Sequence, residues 1–303
     1  MDYEIVTEGL RFPEGPIWME DGSVIVVEIA AGRLTRVRPN GAKETVANLG
    51  GGPNGAAIGP DGRVYVCNNG GFAWTEHDGL LFPGRQPEDY SGGRIEAVDL
   101  ATGRVERLYD SCDGVSLKGP NDLVFDGKGG FYFTDCGKSR EHEVDVGAVF
   151  YAKADGSAIR AVARGLMRPN GCGLSPDGKT LYVSLTSDRV LLAFDLTADG
   201  EAAPGWPVPG RVVASFPGRQ WLDSLAVTAD GHVCIAALVD NPGIVSVDPA
   251  SGAVTQFSLP DVITTNICFG GADMRDAWIT QSTTGKLIRT RWERPGLRLA
   301  HYA

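Results

Sequence analysis

The sequence predicts an all-β, six-bladed propeller of four-stranded antiparallel blades around a central channel. Three observations carry the prediction. A short phrase recurs six times, as FPEGPIW, GPNGAAIG, GPNDLVFD, RPNGCGLS, WLDSLAVT and TTNICFGG. The copies are spaced by 40, 67, 49, 53 and 43 residues, and periods of 40 to 50 residues mark propeller blades. Apolar residues run continuously or alternate with period two, and nowhere with the 3.6 period of a helix.

Each unit repeats one plan. The phrase opens a short apolar strand, which we read as the innermost strand of a blade. A turn follows, MEDGS, GPDGR, DGKGG, SPDGK or TADGH, with glycine where a tight hairpin needs positive φ. The second strands are VIVVEI, VYVCNN, FYFTDC, TLYVSL and VCIAAL, rich in β-branched and aromatic residues. In the sixth unit GGADMRDAWITQS replaces the clean turn. Third strands are GRLTRVRP, GRIEAVDL, GAVFYAKA, RVLLAFDL, GIVSVDPA and GKLIRTRW. We expect YEIVTEG or LRLAHYA to supply the outer strand of a blade built by the other end of the chain, closing the ring and protecting its edges. One propeller domain over residues 1–303 is expected. Residues 70–93 are an insertion covering one face, and the polar stretch from Cys136 to Val146 is a second segment that can reach the channel mouth.

Composition narrows the function. The chain has 303 residues, 43% hydrophobic and 22% charged, with 41 glycines and 18 prolines, which suits a large core joined by tight turns. A net charge of -10 and no basic patch exclude a nucleic-acid binder. The N-terminal MDYEIVTEGLRF lacks a basic start and a signal-length apolar run, and no stretch is a membrane span, so a cytoplasmic protein without membrane attachment is expected. Six cysteines without a CxxC pair read as reduced thiols, with Cys136 nearest the surface. There is no G-x-S-x-G elbow, and GGPNG lacks the Lys-Ser/Thr ending of a phosphate loop.

The chemistry lies in one column of the repeat. The aligned residues are Glu14, Asn54, Asn121, Asn170, Asp223 and Asn266, all with a side-chain oxygen. In a propeller they form a ring at one mouth of the channel. Asn and Asp before glycine are common turn residues, but Glu14 is a poor turn former, so turn chemistry does not explain the column. Glu14 and Asp223 supply two charges, and Asn121 and Asn170 supply neutral carbonyl oxygens. Calcium, magnesium and manganese take such ligands. Calcium is the first expectation, with magnesium, manganese, iron(II) and zinc compatible; zinc is less natural without His or Cys in the column.

The motifs FPEGPIW, GPNDLVFDGKGGFYFTDCG, RPNGCGLSPDGKTLYVS and LDSLAVTADGHVCIA closely resemble the SMP-30/gluconolactonase/LRE family, from about Val6 to the last blade. The resemblance implies a six-bladed propeller with one divalent metal on its axis. It places Glu14, Asn170 and Asp223 as direct ligands, with Asn121 reaching the metal directly or through water and substrate. It puts the base-like aspartate at Asp223, and Asn54 and Asn266 behind the ligands. Some sugar-lactonase members carry Arg where this chain has Gly119, beside Lys118. Relatives with a second, buried calcium carry His where this chain has Cys268, so no second ion is expected.

The expected activity is metal-assisted opening of a small lactone, with Asp223 as general base or water-positioning group. Phosphotriester hydrolysis on the same metal and a non-catalytic binding scaffold are the alternatives. Phe72, Trp74, Tyr90, His142 and Trp221 are expected to contact the lactone, with His77 a further loop candidate. His232 and His301 are assigned no role.

Overall fold

The fold follows from strands that are apolar on both faces. In the computed structural model, which describes residues 2–205 and 208–301, they form six antiparallel sheets, each beginning with one copy of the repeated phrase. Blade 1 comprises Pro13–Trp18, Val24–Glu28, Arg33–Val37 and Lys43–Asn48, in that order from the axis outward. The inner strands of blades 2 to 6 are Pro53–Ile58, Pro120–Phe125, Pro169–Leu174, Gln220–Val227 and Thr264–Gly270. Each packs against the inner strands on either side, and the sixth returns to the first. Blade 4 carries a further short pairing, Glu201–Ala202 against its third strand. The only helical element among the described residues is a single turn, Ile29–Ala31.

The ring is closed by the chain's first strand. Glu4–Thr7 pairs antiparallel with Lys286–Arg291 and becomes the outer strand of blade 6. Of the two segments expected to close the ring, YEIVTEG does so. Of LRLAHYA, residues 297–301 instead cross the channel at the far mouth, with Leu297 N donating to Val227 O and His301 edge-on to Phe125, while its last two residues lie outside the described residues.

One apolar layer fills each gap between blades. In blade 1, Val24 and Val26 face blade 6 while Ile25 and Val27 face blade 2. The same alternation places Tyr65 and Cys67 against blade 3, and Val64 and Val66 against blade 1. A strand sandwiched between two neighbours has no solvent face, which is why its sequence is apolar throughout. No helix among the described residues is long and apolar enough to cross a membrane. All six cysteines are free; Cys136 and Cys268 are the two that are not fully buried.

The insertion at 70–93 contains its own hairpin, Trp74–His77 with Leu80–Pro83. Trp74 anchors it on Phe12, with ring centroids 5.1 Å apart. The Tyr90 hydroxyl donates to Lys118 O at 2.6 Å. Lys138, from the loop after the second strand of blade 3, is only 3% exposed beneath the insertion. Its Nζ donates to Asn69 Oδ1 at 2.9 Å and Gly71 O at 2.6 Å, and lies 4.1 Å from the Phe72 ring centroid.

Burial lowers the Lys138 amine from 10.5 to about 7. Between these values the unfolded chain holds a proton that the folded chain has released. Lys138 therefore adds to stability as pH rises from 7 toward 10.5, and that gain is absent below 7. Urea unfolding of wild type and Lys138→Met should show a difference that shifts in favour of wild type across this window; a pH-independent difference would show that the amine stays charged.

Candidate metal centre

The repeated phrase does not make a turn. In all six inner strands the pairing register slips at the keyed residue, between Glu14 and Ile17, Pro53 and Ala56, Pro120 and Leu123, Pro169 and Cys172, Leu222 and Leu225, and Thr264 and Asn266. Such irregularities bend a strand and re-aim a side chain. The following residue is small in most copies because inner strands crowd there. A Cβ on Gly55 would stand 2.5 Å from Asn121 O, and one on Gly171 would stand 2.6 Å from Leu225 N. The strands bearing Glu14 and Asn170 begin after a non-glycine residue in left-handed geometry, Phe12 with φ 59° and Arg168 with φ 52°. Such backbone is costly and is held by its surroundings.

Five of the six keyed residues are buried: Glu14, Asn54, Asn121, Asn170 and Asn266. Asp223 is half-buried. Glu14 Oε2 accepts from Asn266 Nδ2 at 2.7 Å and from the Gly15 amide. Burial pushes the Glu14 carboxyl above its ordinary value, and these hydrogen bonds oppose the rise. Burial, and next the charge of Glu14, push Asp223 well above its own. Asn170 Nδ2 donates to Thr186 Oγ1 at 3.1 Å, which fixes the amide and leaves Oδ1 free. The Oδ1 atoms of Asn121 and Asn170 are buried and accept no hydrogen bond.

That last fact distinguishes the column from packing. Leaving a buried acceptor unsatisfied costs about 1–3 kcal/mol. Here two occur at aligned positions of adjacent blades, in a ring that also carries two carboxylates raised by burial, Asp223 by the charge of Glu14 as well. A hard divalent cation would offer these oxygens the partner they lack. Among the described residues no three His, Cys, Asp or Glu side chains are placed to hold an ion together, so the amide oxygens are needed to complete a ligand set. Glu14, Asn121, Asn170 and Asp223 fit that role. Asn266 buttresses Glu14 by the hydrogen bond above, while Asn54 completes the ring.

Asp122 escaped the sequence reading. Its carboxyl is buried and pushed up to about 8, by desolvation and then by Glu14. Ser224 lies between the two acids, donating to Glu14 Oε1 at 3.4 Å and hydrogen-bonded to Asp122. The signal was present: these are the Asp and Ser that stand where Glu14, Asn54 and Asn170 are followed by glycine.

The expected contact residues divide. Trp221 stands exposed on the strand that carries Asp223. Phe72 and Trp74 pack on each other and on the core beneath the insertion. Tyr90 spends its hydroxyl on Lys118 O and accepts from Gly93 N. His142 is exposed on the 136–146 loop. His77 is at the hairpin end, 3.5 Å from Asp78.

Comparison with known proteins agrees with this frame. A gluconolactonase of Zymomonas mobilis is 28% identical over 252 residues, covering 75% of this chain and 63% of its own length. The lactonase drp35 of Staphylococcus saprophyticus is 32% identical over 240 residues, covering 77% and 65%. The chain thus spans a little under two thirds of these curated relatives. The crystal structure of regucalcin, a calcium-binding protein from Agrobacterium tumefaciens, superposes with a TM-score of 0.75 over 98% of both chains at 18% identity, a likeness of fold. The profile described as the SMP-30/Gluconolactonase/LRE-like region matches residues 12–283, which takes in all six keyed residues. With the propeller and nearly the whole chain inside that match, this protein belongs to the SMP-30/gluconolactonase/LRE family.

Proposed function

We propose that this chain is a divalent-cation-dependent hydrolase that opens a small lactone. The observation that carries the reading is the pair of buried, unpartnered oxygens, Asn121 Oδ1 and Asn170 Oδ1, in the ring shared with Glu14 and Asp223. The names of the curated relatives, a gluconolactonase and a lactonase, support the substrate class. Calcium is the first choice of ion, supported by the all-oxygen donor set and by the regucalcin fold neighbour.

A cation held by Glu14, Asn121, Asn170 and Asp223 supplies Lewis-acid polarisation of the lactone carbonyl and neutralises charge that develops on its oxygen. The remaining work falls to the chain. Asp223 is the keyed residue with solvent access. It accepts the proton of the attacking water as the carbon–oxygen bond forms, and that proton passes to the leaving alkoxide as the ring opens. Glu14 is locked by Asn266 and Gly15, which suits a fixed ligand rather than a proton carrier. The insertion closes one side of the mouth and limits water there.

The alternatives separate cleanly. A scaffold has no use for two unsatisfied buried acceptors, and a phosphotriesterase would turn over phosphotriesters in preference to lactones. Proton release from a panel of lactones and phosphotriesters, with chelated protein and then with each ion restored, tests all three readings. Lactone opening that disappears with chelation and returns with one ion supports the proposal; activity indifferent to chelation overturns it. Asp223→Asn should lower kcat by about 10²–10⁴-fold, and a wild-type rate would remove Asp223 as the base.

Cation binding has its own readout. A bound ion stabilises the fold by an amount that grows with the logarithm of its concentration over Kd, about 2.7 kcal/mol at a hundredfold excess. Glu14→Gln should weaken calcium binding at least tenfold by calorimetry. Asn121→Ala should lose most of the calcium-induced rise in Tm while leaving the calcium-free Tm nearly unchanged, because its oxygen has no partner to lose. A large fall in the calcium-free Tm would mark Asn121 as structural.

A further inference from the structure

The two sides of the ring are not alike. From blade 1 across to blade 3 the insertion is pinned down by Trp74, Tyr90 and Lys138. Toward blades 4 and 5 the ring opens, since Asp223 is the keyed residue that solvent reaches. The side chains bordering that opening are apolar and exposed: Val144 at 49%, Val146 at 63%, Met167 at 36% and Trp221 at 40%.

They are linked through the backbone around the mouth. Val144 pairs with Ser139, whose hydroxyl accepts from the Arg168 guanidinium, next to Met167. The residue after Val146 packs on Pro169, where a Cβ on Gly147 would stand 2.4 Å from the proline ring. Arg168 O accepts from Thr186 N at 3.1 Å, and Thr186 Oγ1 donates to Leu222 O at 2.7 Å, beside Trp221. The arc therefore ends three residues before Asn170 and two before Asp223.

Three of the cations near that opening are already engaged. Arg168 is held by Ser139, Arg140 by Asp145 at 2.6 Å, and Lys138 by Asn69 and Gly71. Gly119 cannot be replaced by a longer gripping side chain without moving backbone, since its Cβ would stand 2.5 Å from Gly137 O.

We propose that Val144, Val146, Met167 and Trp221 form an apolar approach to the ring that selects lactones bearing an alkyl or aryl substituent over polyhydroxylated ones. The proposal rests on the lactone reading above and names its substrate class. The carbonyl end of the substrate goes to the ring, and the substituent lies along the arc, where each buried methylene favours binding by about fourfold.

The test uses two series with the same substituents: lactones, read as kcat/KM, and the corresponding lactams, which are not opened, read as Kd by calorimetry. Each runs from unsubstituted through alkyl to aryl, with a polyhydroxylated member, on wild type and on Met167→Ser/Val146→Ser and Trp221→Ala. The expected result is a rise of about fourfold per methylene in both series, and a slope at least halved in both variants. A preference for the polyhydroxylated lactone, with lactam affinities flat, overturns the arc and leaves lactone hydrolysis standing. No turnover of any lactone, with lactam affinity still rising along the series and falling in the variants, supports the arc and removes the hydrolytic reading. Self-association of wild type that both variants abolish, with lactam affinities flat, makes the arc a contact between copies and overturns the proposal.

Discussion

The structure turns on two carboxylates brought together in one buried place. Glu14 and Asp223 come from opposite halves of the sequence and meet at the axis, with Asp122 beside them. Like charges in a dry site repel and lose hydration, so without a cation the ring shifts toward neutral acids. With two amide oxygens left unsatisfied in the same ring, the electrostatic deficit and the hydrogen-bonding deficit have one common remedy. The remainder of the molecule is the frame that makes such an arrangement tolerable.

That frame depends on the six blades holding one another. The second strand of each blade has no solvent face, and each interface between blades is an apolar layer contributed by both neighbours. Removing one blade would expose two layers. The pairing of Glu4–Thr7 with Lys286–Arg291 closes the circle with a strand from the far end of the chain. Rigidity of this kind lets the inner strands carry a register slip at every keyed position. The cost of each slip falls on a scaffold already fixed by long-range packing.

Much of this was legible in sequence. The period, the apolar strands and the DG turns locate the blades, and the aligned oxygens locate the ring. The reading of the phrase itself was less complete. Asn-Gly suggests a turn, whereas Gly55 and Gly171 are strand residues kept small because a neighbouring inner strand passes within van der Waals contact. Period-two alternation aims Asp122 away from its neighbour Asn121, yet the strand's register slips there and the Asp122 carboxyl feels the charge of Glu14. Phe72, Trp74 and Tyr90 stood out in sequence as loop aromatics, and the fold shows that they also fasten the insertion.

By itself the sequence determined what repeats: six strand sets, one oxygen per set, and the chemistry of hard-cation ligands. Those are local properties, written in residue type and spacing. Tertiary structure decided which oxygens lack partners, which acids feel each other and which side of the mouth stays open. These depend on distances between blades far apart in the chain. Asn121 and Asn54 are the same residue in the same register, and only the packing around the axis leaves the Asn121 oxygen among the unsatisfied ones.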